Sequence, residues 1–81
     1  MGYEFSKHAL DMLKERNITE AWVKDAIDKP DYYNEGLDGN MHYYKSVPER
    51  EGRPLHVVIN ARVKPVKVVT AFFDRRARRP E

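Results

Sequence analysis

Residues 54–73 read PLHVVINARVKPVKVVTAFF, and the expected fold depends on this stretch. On both sides of the turn-forming Pro65, apolar residues recur at every second position, which is typical of β-strands that bury one face. With a two-residue loop at positions 63–64, the strands form an antiparallel hairpin. Ile59 then lies opposite Val68, Val57 opposite Thr70 and Leu55 opposite Phe72. The core-facing residues of this hairpin are then Leu55, Val57, Ile59, Ala61, Val66, Val68, Thr70 and Phe72.

Two shorter extended runs precede this hairpin, at about 32–35 and 41–47, and clusters of turn-forming residues separate them. Together with strands at about 54–62 and 66–73, they predict a meander of four strands. Because the connecting turns are short, neighbouring strands are expected to be antiparallel.

The facing of the 41–47 strand depends on the length of the turn that follows it. A two-residue loop at Glu51-Gly52 puts Tyr43 on the same side as His56, opposite the core, whereas an odd-length loop puts Tyr44 there. The first alternative predicts an open face that carries Tyr43, Lys45, His56, Asn60, Arg62, Lys67 and Phe73.

The N-terminal part of the chain has the residue spacing of helices rather than strands. Ser6 can cap a first helix, whose apolar residues recur at helical spacing to about Arg16. Thr19 repeats this start signal, and a second helix is expected to end at about Asp28. Two such short helices cannot bury their apolar faces alone, so the sheet must cover them.

The chain has 81 residues and no cysteine, so it has room for one small core without disulfides. We therefore expect an α+β fold in which two N-terminal helices pack on one face of a four-stranded antiparallel sheet. Residues 1–73 form this single domain and residues 74–81 form a basic C-terminal tail. A large cofactor would not fit so small a core, and none is expected.

No apolar run approaches the ~18 residues that cross a bilayer, and the N-terminus lacks the apolar stretch of a signal peptide. The sequence therefore predicts a cytoplasmic protein with no membrane partner. Residues 1–40 carry five basic and nine acidic side chains, whereas residues 41–81 carry ten basic and four acidic ones. This asymmetry favours an anionic partner, with nucleic acid as the first candidate, and a solvated face with a basic tail as the alternative.

The sequence contains none of the motifs that mark common enzyme classes, such as a phosphate-binding glycine loop or a nucleophilic serine elbow. Three histidines remain, His8, His42 and His56, and their spacing does not predict a metal site. Metal-independent RNA cleavage is a reaction that such histidines, together with the basic side chains, could perform. It needs a group that takes a proton from the 2′-hydroxyl, a group that protonates the leaving 5′-oxygen, and cations beside the phosphate. Histidine and arginine provide these functions near neutral pH.

Five segments resemble, in order, a family of small bacterial domains of unknown function that is grouped with RelE/ParE-like toxins. They read FSKHA at 5–9, RNITE at 16–20, AIDKP at 26–30, GRPLHVV at 52–58 and VVTAF at 68–72. The resemblance, which spans about residues 3–73, implies two helices against a four-stranded antiparallel sheet. It also implies the metal-independent ribonuclease fold of barnase-like and RelE-like proteins and a neighbouring antitoxin. The sequence departs from the pattern at Met12, where a further arginine is often found, and at Phe72, where tyrosine is common.

This resemblance predicts a RelE/ParE-like toxin of a toxin–antitoxin pair that acts as a metal-independent endoribonuclease. The expected partners are RNA, either unbound or on the ribosome, and a small acidic antitoxin. The candidate catalytic residues are His56, Arg53 and His8. The candidate RNA-binding residues are Tyr43, Lys45, Arg62, Lys67, Phe73, Arg75 and Arg76.

Each of these assignments has a structural alternative. His8 can tether the first helix to the sheet, and His56 can be an exposed strand residue without a chemical role. His42 is expected to lie at the surface. For the whole protein, the alternatives are a non-catalytic RNA- or protein-binding module on the same fold and a ParE-like inhibitor of a topoisomerase.

Overall fold

The computed structural model describes residues 3–74. Two helices lie between the first and second strands, and the remaining strands follow as a meander. The elements in chain order are β1 (Tyr3–Phe5), α1 (Lys7–Glu15), α2 (Glu20–Asp28), β2 (Tyr32–Glu35), β3 (Met41–Val47), β4 (Arg53–Asn60) and β5 (Val66–Phe73).

Both predicted helices are confirmed, and both begin at the predicted caps. The Ala9 N–H donates to Ser6 Oγ at 3.0 Å, and the Trp22 N–H donates to Thr19 Oγ1 at 3.1 Å. Between the helices, Asn17 adopts the left-handed conformation with φ of 56°, which ends α1 and reverses the chain. Neither helix within residues 3–74 has the length and apolar character needed to cross a membrane.

The described residues form a five-stranded mixed sheet in the order β1-β5-β4-β3-β2. The predicted four-stranded antiparallel sheet is therefore wrong, although the α+β class is retained. The additional strand is β1, which pairs in parallel with β5 and places Tyr3 opposite Val66 and Phe5 opposite Val68. Three residues are too few to show a two-residue period in the sequence. Phe5 also lies immediately before the Ser6 cap, where an apolar residue is typical of a helix start.

The helices cover one face of the sheet, with α1 against β1 and β5 and α2 against β3 and β4. We call the other side the open face. Apolar residues from both helices and from the inner strands form one cluster between the two layers. Its buried members are Leu13, Ile18, Val23, Ala26, Val47, Leu55, Val57, Ile59, Val68 and Ala71.

The turn between β3 and β4 contains five residues rather than two. Gly52 closes it by donating from its N–H to the carbonyl oxygen of Val47 at 3.0 Å, so that Val47 lies opposite Arg53. Since this number is odd, Tyr44 and not Tyr43 shares the open face with His56. The predicted facing of Tyr43 and Lys45 is therefore wrong.

A second irregularity lies between β4 and β5. Ile59 pairs with Val68 as predicted, but Val58 pairs with Thr70, so Val69 is an extra residue in β5. The bulge shifts the remaining register by one residue. The predicted pairs of Val57 with Thr70 and of Leu55 with Phe72 are wrong; their partners are Ala71 and Phe73.

The bulge consequently exchanges the two phenylalanines. Phe73 lies on the helix side, where its ring meets that of Trp22 edge to face at 6.0 Å, and Phe72 lies opposite His56. The prediction that Phe73 belongs to the open face is wrong. The predicted core position of Ala61 is also wrong, because β4 ends at Asn60 and Ala61 is exposed in the following turn.

Candidate functional site

Two histidines meet on the open face. His56 lies in the middle of β4, and His42 lies on β3 opposite Val58, so that the two rings occupy diagonal positions on neighbouring strands. His42 Nδ1 lies 2.7 Å from His56 Nε2, which is hydrogen-bond distance. The two imidazoles therefore share a hydrogen atom.

A carboxylate lies at each end of this histidine pair. Asp38, in the turn between β2 and β3, places Oδ1 3.2 Å from His42 Nε2. Asp74, directly after β5, places Oδ2 3.2 Å from His56 Nδ1. The four side chains form a continuous network in which every imidazole nitrogen contacts a protein group. The exposed fractions of the side chains are 50% for Asp38, 16% for His42, 11% for His56 and 23% for Asp74.

The number of hydrogens in this network follows from its geometry. Ionised carboxylates only accept hydrogen bonds, so His42 Nε2 donates to Asp38 and His56 Nδ1 donates to Asp74. With the hydrogen between the rings, the complete network needs three hydrogens, whereas two neutral imidazoles carry two. The pair therefore accommodates one added proton. A second added proton would place two N–H groups against each other at 2.7 Å.

The surroundings bias both ends of the network. Burial lowers the pKa of His56 below its ordinary value of 6.5; the hydrogen bond to Asp74 opposes this effect, and charge on His42 adds to it. The backbone N–H of Asn40, followed by the hydrogen bond from His42, holds the pKa of Asp38 below its ordinary value. An ionised carboxylate therefore lies beside His42 Nε2.

An aromatic stack fixes the orientation of His56. Its ring centroid lies 4.3 Å from that of Tyr44 and 4.8 Å from that of Phe72. Tyr32 continues the stack by packing on Tyr44 at 4.4 Å, with the two planes inclined by only 10°. Tyr44 and His56 thus have another ring on each side and offer no open face to a nucleobase. Such rings serve as rigid supports rather than as a stacking platform.

The network extends from Asp38 into a polar rim. Asn40 donates to Asp38 through its backbone N–H at 3.0 Å and through Nδ2 at 3.3 Å, and its Oδ1 accepts from Arg62 Nη2 at 3.4 Å. Gly36 also contacts this rim closely, since a Cβ atom there would lie 2.5 Å from His42 Nε2 and 2.7 Å from Asp38 Oδ1. Only glycine lets the turn approach the His42 ring so closely.

Among the predicted catalytic residues, only His56 belongs to this network. His8 is exposed on α1, and Arg53 is exposed at the start of β4. Within residues 3–74, no hydrogen bond or ring contact links either of them to the histidine pair. The structure does not bring the three predicted catalytic side chains together.

The predicted RNA-binding residues are also dispersed. Tyr43 and Phe73 pack against the core cluster, and Lys45 donates to the Lys29 carbonyl oxygen at 2.8 Å. Arg62 lies at the rim described above, and Lys67 lies opposite Asn60 at the end of β5 nearest this rim. Arg75 and Arg76 lie outside the described residues.

Three members of the network are not among the site residues predicted from the sequence: His42, Asp38 and Asp74. His42 was expected at the surface, and the two-residue turn assumed after β3 turned its side chain away from His56. The two aspartates lie in turn or terminal positions, where acidic residues are common. A five-residue turn after β3 would have predicted His42 beside His56, but nothing in the sequence marks the bulge that aligns Phe72.

In the described part of the chain, no three His, Cys, Asp or Glu side chains are grouped so that they could bind a metal ion. The imidazole nitrogens that would serve as ligands already contact carboxylates or each other. What this arrangement can do chemically is accept, store and release one proton.

The lowered pKa of His56 predicts a loss of stability in acid. As the pH falls below 6.5, unfolded chains bind a proton at this position before folded chains do, so the free energy of unfolding decreases. In His56→Gln this decrease should be smaller by up to about 1.4 kcal/mol per pH unit, the limit for one proton. Urea unfolding at pH 7.5 and 5.5 measures the difference. Equal losses in the two proteins would contradict it.

Comparisons with known proteins place this chain in a family but not in a functional class. No curated protein and no solved structure matches it. One family model, described as Domain of unknown function (DUF4258), matches residues 5–73. The matched segment includes Asp38, His42 and His56 and ends immediately before Asp74. Because the match covers most of the sequence, the chain belongs to the DUF4258 family.

Proposed function

We propose that the protein is an endoribonuclease in which the His42–His56 pair transfers a proton during cleavage of the RNA backbone. The observation that carries this proposal is the 2.7 Å contact between His42 Nδ1 and His56 Nε2, with an aspartate at each end. An imidazole that is hydrogen-bonded to a second ring and lies beside a carboxylate can accept a proton and release it again, which acid–base catalysis requires.

In the proposed reaction, the two hydrogens of the neutral pair lie between the rings and on His56 Nδ1, and Asp38 has moved away from His42. His42 Nε2 is then unprotonated and takes the proton of a ribose 2′-hydroxyl. The 2′-oxygen forms a bond to phosphorus, and the bond from phosphorus to the 5′-oxygen breaks. The pair then returns the proton to the leaving 5′-oxygen. The products are a 2′,3′-cyclic phosphate and a 5′-hydroxyl, and the pair ends with the protons it had at the start. His56 and Asp74 stabilise the added charge between the two steps.

His42 is the member of the pair that would contact the substrate. Both nitrogens of His56 face inward, toward His42 and Asp74, and its ring lies between Tyr44 and Phe72. His42 Nε2 faces Asp38, whose carboxylate is half-exposed in a turn. His56 therefore acts through His42 as a positioning residue and proton acceptor.

Cleavage of a single-stranded RNA oligonucleotide tests this assignment. His42→Gln and His56→Gln should each lower the cleavage rate by about 100-fold, the typical effect of losing one proton-transfer group. Lys64→Gln, in an exposed turn, serves as the control and should cleave normally. Chelator should have no effect. Full activity in both histidine variants, or loss of activity with chelator, would contradict the proposal, provided that thermal unfolding shows the variants to be folded.

A non-catalytic binding module is the second candidate, and one observation favours it. Every nitrogen of the histidine pair already contacts a protein group, so the substrate must displace Asp38 before it can contact His42 Nε2. If Asp38 always stays beside His42 Nε2, the network can only stabilise the sheet. RNA binding without cleavage by the wild-type protein would support this candidate.

We further propose that the protein acts as a RelE/ParE-like toxin that a small acidic partner neutralises. Two features support this proposal: the resemblance over about residues 3–73, and the balance of ten basic against four acidic side chains in residues 41–81. An acidic partner would complement this half of the chain.

Expression in a bacterial host tests the toxin proposal. The protein produced alone should slow growth, and co-expression of the product of the adjacent gene should restore it. His42→Gln, produced at the same level, should be harmless if the toxicity depends on RNA cleavage. Normal growth with abundant folded wild-type protein would contradict the toxin proposal.

A further inference from the structure

Three nitrogen donors converge on the carboxylate of Asp38. They are His42 Nε2 at 3.2 Å, the Asn40 backbone N–H at 3.0 Å and Asn40 Nδ2 at 3.3 Å. One of these donors belongs to the histidine pair, and the other two belong to the turn. The chain's own carboxylate thus occupies a position that is built to bind an anion.

A cation lies beside this position. Arg62 Nη2 donates to Asn40 Oδ1 at 3.4 Å, and Arg62 Nε donates to Asn60 Oδ1 at 3.3 Å. Both acceptors are neutral amide oxygens. Within residues 3–74 no carboxylate pairs with Arg62, so its positive charge is not neutralised by a direct ion pair. A planar guanidinium of this kind matches two oxygens of a phosphate group.

Asp38 is the part of this arrangement that can move. Its side chain is half-exposed, it lies in the turn at residues 36–40, and it makes no contribution to the core cluster. Exposed contacts of this kind contribute little to stability, because solvent screens them. His42, in contrast, is held by its strand and by His56.

We propose that a phosphate group binds between His42 Nε2 and Arg62 and displaces the carboxylate of Asp38 toward solvent. Asp38 is then an internal competitor that occupies the anion position in the unliganded protein. This site deepens the proposed function. It rests on that function in one respect: the natural source of the phosphate is taken to be an RNA phosphodiester. It also explains how substrate reaches the histidine pair: its phosphate takes the place of the Asp38 carboxylate beside His42 Nε2.

Titration of the full chain with inorganic phosphate, followed by NMR of the backbone amides, tests this site. The amide signals of Gly39, Asn40 and His42 should shift together. Asp38→Asn should bind phosphate about five- to tenfold more tightly, because one competing negative charge is removed. Arg62→Gln should bind it more weakly by a similar factor, and the matched control Lys64→Gln should bind it as the wild type does.

The inference is overturned if Asp38→Asn binds phosphate no more tightly than the wild type, or if Arg62→Gln behaves like Lys64→Gln. A deoxyribose dinucleoside phosphate, which lacks the 2′-hydroxyl and cannot be cleaved in this way, identifies the source of the phosphate. Displacement of inorganic phosphate by this diester supports a nucleic-acid source, and failure to displace it contradicts that source.

The site and the proposed ribonuclease activity can fail separately. Phosphate binding with the expected variant effects, in a protein that does not cleave RNA, would retain the anion site and reject the activity. RNA cleavage in a protein whose phosphate binding is unaffected by Asp38→Asn and Arg62→Gln would retain the activity and reject the anion site.

Discussion

The hydrogen bond between His42 and His56 is the interaction on which the chemistry of this protein depends. Two imidazole nitrogens at 2.7 Å leave room for one hydrogen, so the rings cannot both be fully protonated. The aspartates at the ends then fix which nitrogen of each ring carries the other hydrogens. These constraints turn two ordinary strand histidines into a unit that exchanges a single proton.

The backbone register produces this contact. The five-residue turn after β3 puts His42 and Tyr44 on the face of His56, and the bulge at Val69 puts Phe72 there. Without either irregularity, the ring of His56 would have different neighbours. The same shifts turn Tyr43 and Phe73 toward the helices, where they pack on the core. The five-residue turn and the bulge thus decide which side chains face the core and which face the candidate site.

The sequence predicted the positions of the helices and strands better than the register between the strands. Both caps, Ser6 and Thr19, were correctly identified because a hydroxyl at this position has a local partner within three residues. The strand β1 was missed because its pairing with β5 is distant in sequence and only three residues long. The bulge at Val69 has no local signal, so the place of Phe72 beside His56 was not predicted. His42 was not recognised as a partner of His56 because a two-residue turn was assumed after β3. Local propensities predict where a strand runs, but the facing of its side chains depends on turn lengths and single-residue insertions.

Direct observation of the imidazole nitrogens tests the shared proton most directly. In a protein labelled with ¹⁵N, two-dimensional NMR distinguishes protonated from unprotonated ring nitrogens. As the pH is lowered from 7.5 to 5.5, His42 and His56 together should gain no more than one proton, because only one hydrogen fits between their rings. The signals of His42 Nδ1 and His56 Nε2 should change together. If both rings instead each gain a full proton, the shared hydrogen bond does not exist in solution.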